Sequence, residues 1–277
     1  MFCDLHTHSV FSDGTCTPAE IIDIAIKEGL SAIALTDHNT VDGLPDFISA
    51  AKGKNINIVP GVEFSVDYEG KELHILGLFI LTECFDEVSS LMESVNRRKE
   101  ESNVALINSL NCLGYQLDYE SIKNATPNGK INRAHIAQAM VQKGYLSSIK
   151  EGFDTILSKS AGHYVEPKRL SAQEIIDFIN ELGAVAVLAH PFLNLKEQEL
   201  IKFLSHINGL CGMECYYSTY DVETTNASIR IANEFRLVCS GGSDFHGTNK
   251  PDIRLGVGKG NLKVPYEWYL DLKKNTK

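Results

Sequence analysis

No two cysteines in this chain stand at Cys-x-x-Cys spacing, although seven are present, at Cys3, Cys16, Cys84, Cys112, Cys211, Cys215 and Cys239. An odd number without paired spacing gives no sign of a zinc ribbon or a dithiol redox motif, a chain of this length needs no disulfide scaffold, and reduced thiols are the simpler reading. Also missing are a basic segment followed by an apolar one at the amino end, and any apolar run long enough to cross a bilayer. A cytoplasmic protein without membrane contact is the expectation. Positive charge is scarce as well: 36 Asp and Glu stand against 26 Lys and Arg, for a net charge of -10. Such a chain repels a long nucleic acid backbone unless a local basic groove offsets it. Small phosphate esters escape that exclusion, because bound metal ions reverse the local field. There is no internal repeat and no low-complexity segment.

What is present, 277 residues of which 43% are hydrophobic and 22% charged, is the balance of a folded domain with or without a sizeable insertion. Short apolar runs alternate with amphipathic helical patterns, as βα units require. Candidate strands are Phe2 to Leu5, Ala32 to Thr36, Ile56 to Pro60 and Glu72 to Phe79, read as parallel. A first helix opens at Thr17-Pro18-Ala19-Glu20, a capping box with proline at the first helical position, and Ile21, Ile22, Ala25 and Ile26 form its apolar face. From residue 85 to 165 the pattern turns to consecutive helices, over Asp86 to Leu113, Arg133 to Lys143 and Ile149 to Lys159. Alternation resumes with a helix at the capping box Ser171-Ala172-Gln173-Glu174 and strands at Ala184 to Ala189, Gly212 to Tyr216 and Leu237 to Ser240. Six or seven βα units with one insertion fit a barrel over 1–84 and 166–277 better than an open sheet.

Residues with metal chemistry fall where these apolar runs end. His6 and His8 lie two apart, so the period of a strand sends both imidazoles to one side. Leu35-Thr36-Asp37-His38 ends the second strand and Gly61-Val62-Glu63 follows the third. His74 interrupts Leu73-His74-Ile75-Leu76-Gly77, where a buried imidazole needs a partner. Past the insertion, His190-Pro191 follows one strand and Gly241-Gly242-Ser243-Asp244-Phe245-His246 follows another, with Asp244 and His246 again two apart. Each residue alone has an ordinary packing explanation. Their recurrence at strand ends, where βα barrels gather functional side chains, points to a metal centre. Imidazole and carboxylate without thiolate suit a catalytic manganese, iron or zinc rather than a structural zinc.

In order, His6-Thr7-His8, Thr36-Asp37-His38, Ala189-His190-Pro191 and Ser243-Asp244-Phe245-His246 resemble the four signature motifs of the polymerase and histidinol phosphatase (PHP) family. The resemblance covers nearly the whole chain and is weakest in the helical insertion. It implies an α/β fold, a distorted (β/α)7 barrel with the insertion 85–165 as a cap, and metal-dependent phosphoesterase activity. It further implies a first ion held by His6, His8, Glu63 and Asp244, and a second held by Glu63 as a bridge with His74 and His190. A third would use Asp13, His38 and His246, giving two or three divalent ions of manganese, iron or zinc. Hydroxide bridging the first two ions would attack phosphorus, with Glu63 and Asp244 catalytic and His190 or His246 supplying a proton to the leaving oxygen.

Histidinol phosphatases of the family usually place a histidine where this chain has Asp13. That departure favours the branch acting on small nucleotide or sugar phosphates, such as 3',5'-nucleotide bisphosphates or cyclic ribose phosphates. Asn132-Arg133-Ala134-His135-Ile136-Ala137 resembles that branch's segment presenting an arginine to the substrate phosphate. Arg133 is thus the leading substrate contact, with His135 and Lys168 behind it. Alternatives are a histidinol phosphate phosphatase, a 5'-3' exonuclease on short RNA, and a non-catalytic metal-binding module beside a polymerase, of which this chain carries no region. The expected partner is a small phosphorylated substrate, without long nucleic acid or membrane.

Overall fold

The computed structural model describes all residues except 127–130, 168 and 261. In chain order its main elements are β1 (Phe2–Asp4), α1 (Pro18–Lys27), β2 (Ala32–Leu35), α2 (Leu44–Ala51), β3 (Asn57–Tyr68), β4 (Lys71–Leu78), α3 (Phe85–Cys112), α4 (Tyr119–Ala125), α5 (Arg133–Gln142), α6 (Ile149–Asp154), α7 (Ala172–Glu181), β5 (Val185–Leu188), α8 (Glu197–His206), β6 (Gly212–Tyr217), α9 (Val222–Glu234), β7 (Val238–Gly242), β8 (Val264–Pro265) and α10 (Tyr266–Lys273). They fall into two compact units, Met1–Ser90 with Arg169–Lys277, and Leu91–Lys168. No helix among the described residues is long and apolar enough to cross a membrane.

The first unit holds one sheet in the order β7-β6-β5-β4-β3-β2-β1-β8. Its ends meet. Leu5 N–H donates to the Gly241 carbonyl (3.1 Å), Asp244 N–H to His6 (2.9 Å) and His8 N–H to Phe245 (2.9 Å), and Thr7 bridges Phe245 in parallel. β8 takes the start of β1, pairing antiparallel through Phe2 with Pro265 and Cys3 with Val264. β1 therefore joins β8 first and the end of β7 beyond Leu5, which makes the sheet a distorted, nearly closed barrel. Glycine permits the seam: a Cβ at Gly242 would meet the His6 Cβ and lie 2.6 Å from the His6 nitrogen.

Three expectations fail around one hairpin. β4 runs antiparallel to both β3 and β5, so the strands are not all parallel. No helix separates β3 from β4; Glu69 and Gly70, with φ of 51° and 79°, make a two-residue turn that pairs Tyr68 directly with Lys71. Nor does Pro60 end the third strand. It pairs with Leu35, its carbonyl accepts the Ile80 N–H (3.0 Å), and β3 continues to Tyr68.

Strand periodicity then sorts the barrel interior into layers. Cys3, Leu5, Ala32, Ala34, Val59, Leu76, Leu78, Val185, Val187 and Ala189 belong to one buried apolar cluster. The same inward faces carry Glu63 four residues beyond Val59 and His74 two residues before Leu76. Because β4 runs backwards, His74 reaches the carboxyl-end rim from near the start of its strand. Outside, α1 buries Ile21, Ile22 and Ala25 and α7 buries Ile175, Ile176 and Ile179, both behind the expected capping boxes at Thr17 and Ser171.

In the second unit, Leu106, Ile107, Leu110, Ile122, Ile136, Ala137, Met140 and Leu157 form a separate apolar core. α6 is shorter than the expected Ile149 to Lys159. The chain leaves the helix at Thr155, whose hydroxyl bonds back to the Glu151 carbonyl (2.6 Å), and Leu157 turns into the core.

Candidate metal centre

Each barrel strand from β1 to β5, and β7, delivers a side chain to one place. His6 and His8 follow β1, His38 follows β2, Glu63 lies within β3, His74 within β4, His190 follows β5, and Asp244 and His246 follow β7. Glu63 is not at a strand end, since β3 outruns the sequence expectation. His190 and Asp244 hold positive φ, 25° and 55°, a conformation that non-glycine residues seldom adopt and that clusters at functional sites.

Glu63 sits at the centre of five imidazoles. Its Oε1 lies 2.7 Å from His74 Nδ1 and 3.0 Å from His190 Nε2; its Oε2 lies 3.2 Å from both His6 Nε2 and His8 Nε2 and 3.0 Å from His38 Nδ1. Asp244 Oδ1 lies 3.2 Å from His8 Nε2 and 3.7 Å from His6 Nε2. A further cluster forms where His8 stacks on His246, their centroids 4.1 Å apart, and Asp13 Oδ1 approaches His246 Nε2 to 3.1 Å. Four groupings, His6-Glu63-His190, His6-His8-Asp244, His38-Glu63-His74 and His8-Asp13-His38-His246, each bring their ligand atoms within 4.8 Å of one another. All nine metal candidates from the sequence thus converge.

The charges interlock. Burial works against the Glu63 carboxylate, but His6, His74 and His38 hold its pKa well below the usual range. Asp244 is likewise held low by His6 and His8 against its burial. Burial drops His38 to about 4, which keeps it neutral, whereas the Glu63 charge overcomes burial at His74 and raises it to about 9. Asp13, despite some burial, is lowered to about 2 by His246 and its other imidazole neighbours.

Do these residues fit divalent ions? His6 Nε2, both nitrogens of His8, His190 Nδ1 and Glu63 Oε2 are buried without a hydrogen-bond partner. Leaving a buried polar atom without a hydrogen bond costs about 1–3 kcal/mol, so the cluster favours an occupant that takes up several lone pairs together. A shared cation satisfies several lone pairs at once. The donor set, imidazole and carboxylate without thiolate, is of the kind that binds manganese, iron or zinc. The clusters are capable of holding two or three such ions.

Some residues that shape the centre lie outside the sequence candidates. Asp37, inside the Thr-Asp-His motif, stands outside the four groupings: it accepts from Ser9 N–H (2.7 Å) and from the hydroxyls of Ser9 and Ser12 (both 2.6 Å), bracing the loop towards Asp13. Asp4, fully buried, accepts from Ser243 N–H (2.8 Å) and Gly256 N–H (2.7 Å). Tyr217 and Lys250 both donate to Asp244 Oδ2, at 2.7 and 2.6 Å, leaving Oδ1 for the centre. Glu214 binds His6 Nδ1 (3.1 Å). An acid interrupting an apolar strand, as in Phe2-Cys3-Asp4-Leu5 and Gly212-Met213-Glu214-Cys215, was the available signal.

The substrate candidates lie in the second unit. The Arg133 guanidinium stands 4.2 Å from the Tyr164 ring centroid and donates to the Leu157 carbonyl (3.3 Å). His135 closes a capping box with Asn132 and lines a cavity of about 270 Å³ between α4 and α5. Lys168 lies outside the described residues.

Comparison with known proteins agrees with this chemistry. Residues 4–185 match the PHP domain model. A 5'-3' exoribonuclease of Haemophilus influenzae is 31% identical over 246 residues, 88% of this chain and 89% of that protein. A phosphoribosyl 1,2-cyclic phosphate 1,2-diphosphodiesterase of Eggerthella lenta is 29% identical over 256 residues, 89% of this chain and 95% of that protein. A crystal structure from Bifidobacterium adolescentis, described as a candidate metal-dependent phosphoesterase, superposes with a TM-score of 0.71 at 25% identity, covering 99% of this chain and 96% of that one. With its histidines and carboxylates gathered at one barrel rim, and with the family model spanning more than half its length, this chain belongs to the PHP domain family of metal-dependent phosphoesterases.

Proposed function

We propose that the substrate is a small phosphate ester built on ribose, of the 3',5'-nucleotide bisphosphate or cyclic ribose phosphate type. The observation that carries the reading is the Glu63 carboxylate ringed by five imidazoles. Three carboxylates, Asp13, Glu63 and Asp244, do not neutralise two or three divalent ions, so the pocket attracts anions inside a chain of net charge -10. That same net charge disfavours an extended nucleic acid. Both relatives act, by their names, on a phosphate ester of ribose, one in RNA and one in a cyclic phosphate.

In this reading one ion would be held by His6, His8, Glu63 and Asp244, a second by Glu63, His74 and His190, and a third by Asp13, His38 and His246. Bound divalent ions supply a water of lowered pKa and a positive field for the phosphoryl oxygens. The chain's own part is to aim lone pairs and exclude bulk water. His246 Nδ1 donates to the Asp244 carbonyl (2.8 Å), which turns the Nε2 lone pair towards the centre and suits His246 to ligation rather than to proton donation. Arg133, His135 and Lys168 are proposed as phosphate contacts on the strength of the motif around Arg133.

Phosphate release with manganese is the test, measured on a 3',5'-nucleotide bisphosphate, a cyclic ribose phosphate, histidinol phosphate and a short 5'-phosphorylated RNA. Preference for either of the first two is expected. Preference for histidinol phosphate would overturn the proposal. Fastest turnover of the oligonucleotide would establish a 5'-3' exonuclease on short RNA, the second reading, which the Haemophilus influenzae relative favours.

A further inference from the structure

Glu214 is a fully buried carboxylate on β6, among the apolar neighbours Met213 and Cys215, and belongs to none of the four groupings. Burying an acid there costs free energy that an apolar residue would not. Its two oxygens do two different things. Oε1 lies 3.1 Å from His6 Nδ1, and Oε2 accepts the His190 backbone N–H at 2.7 Å. An ionised carboxylate can only accept. Nδ1 is thus the ring nitrogen that donates to Glu214, which leaves Nε2, facing Glu63 Oε2 (3.2 Å) and Asp244 Oδ1 (3.7 Å), as the one that would bind an ion. The second contact pins the backbone of His190 at its unusual φ of 25°, from which its ring reaches Glu63 Oε1 at 3.0 Å.

The strand itself is adapted to this. Regular alternation would place Glu214 and Tyr217, three residues apart, on opposite faces. Pairing with β7 slips between Glu214 and Tyr216, a bulge of the kind that re-aims side chains beside active sites. As a result Tyr217 OH reaches Asp244 Oδ2 (2.7 Å) while Glu214 reaches His6.

We propose that Glu214 is a positioning residue that couples two metal subsites, setting the His6 tautomer for one and the His190 backbone for the other. This rests on the reading of His6 and His190 as ligands given above. The two subsites should then load together and weaken together when Glu214 is changed.

Glu214→Gln keeps the shape but offers one acceptor oxygen, so its amide NH2 must face either His6 Nδ1–H or His190 N–H. The experiment strips wild-type protein and the variant with a chelator, checks folding by circular dichroism, and titrates each with Mn2+ and with Zn2+ in a calorimeter. Loss of a partner behind a metal-binding histidine typically weakens metal affinity about 10–100-fold; that loss, shared by both ions held through His6 and His190, is the expected result. A folded variant with wild-type affinity would overturn the inference, as would weakening confined to one ion. A wild-type protein that binds no ion would instead overturn the ligand reading beneath it. Should the variant not fold, 15N spectra of the histidines in the Zn2+-loaded wild-type protein decide: a proton on His6 Nδ1 supports the coupling, and a proton on Nε2 overturns it.

Discussion

Glu63→Gln is the sharpest perturbation available, because it removes one charge from the point where five imidazoles converge while leaving the side chain's shape. Glu63 takes part in two of the four groupings, one through His6 and His190 and one through His38 and His74. A carboxylate charge 4 Å from a divalent ion is worth about 8 kcal/mol at an effective dielectric of about 20; less several kcal/mol for burying the carboxylate, roughly three orders of magnitude in affinity remain. At least two ions should therefore bind about a thousandfold more weakly. Asp13→Asn is the natural comparison: Asp13 is 55% exposed and belongs to a single grouping, so its loss should weaken one ion only, and by less. Titration of the chelated proteins with Mn2+, followed by metal counting after dialysis, separates the two patterns. Wild-type stoichiometry and affinity in Glu63→Gln would refute the reasoning.

Three further outcomes are expected. In the metal-free protein His74 has its pKa raised to about 9, so its proton stabilises the fold fully below about pH 6.5 and that stability, on the order of 1–3 kcal/mol, is lost as pH rises towards 9; chemical denaturation across that window should show the fall, while Mn2+ affinity rises because ligands bind deprotonated. Gly242→Ala pushes a methyl into His6 at the barrel seam, and should lower stability by about 1–3 kcal/mol or more and weaken metal binding, read by melting and titration. Chelation should abolish phosphate release without changing the far-ultraviolet circular dichroism, and ions at about a hundred times their Kd should restore activity and add about 2.7 kcal/mol of stability for each ion bound.

Much of the barrel and its ligands is legible from one local signal, an apolar run interrupted or ended by a residue that burial alone would forbid. His6, His38, His190 and Asp244 carry that signal because their strands are short and end in buried residues, so a polar residue beyond Leu5, Leu35, Leu188 or Gly242 stands out. Helices α1 and α7 are legible for a similar reason: the Thr17 and Ser171 capping boxes are local chemistry, and their apolar faces repeat with the helical period. The hairpin is another matter. Glu69-Gly70 lacks the Asn-Gly or Asp-Gly signature, and Pro60 suggests a strand end where the strand continues, so a β3–β4 pair reads as two separate parallel strands.

The residues that escape a sequence reading are those whose meaning depends on register. Glu214 and Tyr217 converge on one site only because β6 slips against β7 by one residue, and no periodicity argument reveals a bulge that breaks the period. Asp4 acquires its role from Ser243 and Gly256, more than two hundred residues away, whose N–H groups need acceptors once the seam closes. β8 is two residues long and exists because β1 has a free edge at Phe2 and Cys3. Each of these is a consequence of barrel closure rather than of local propensity. It follows that the ligands can be read from the strands one at a time, whereas the groups that aim them become visible only when both sides of the seam are in place.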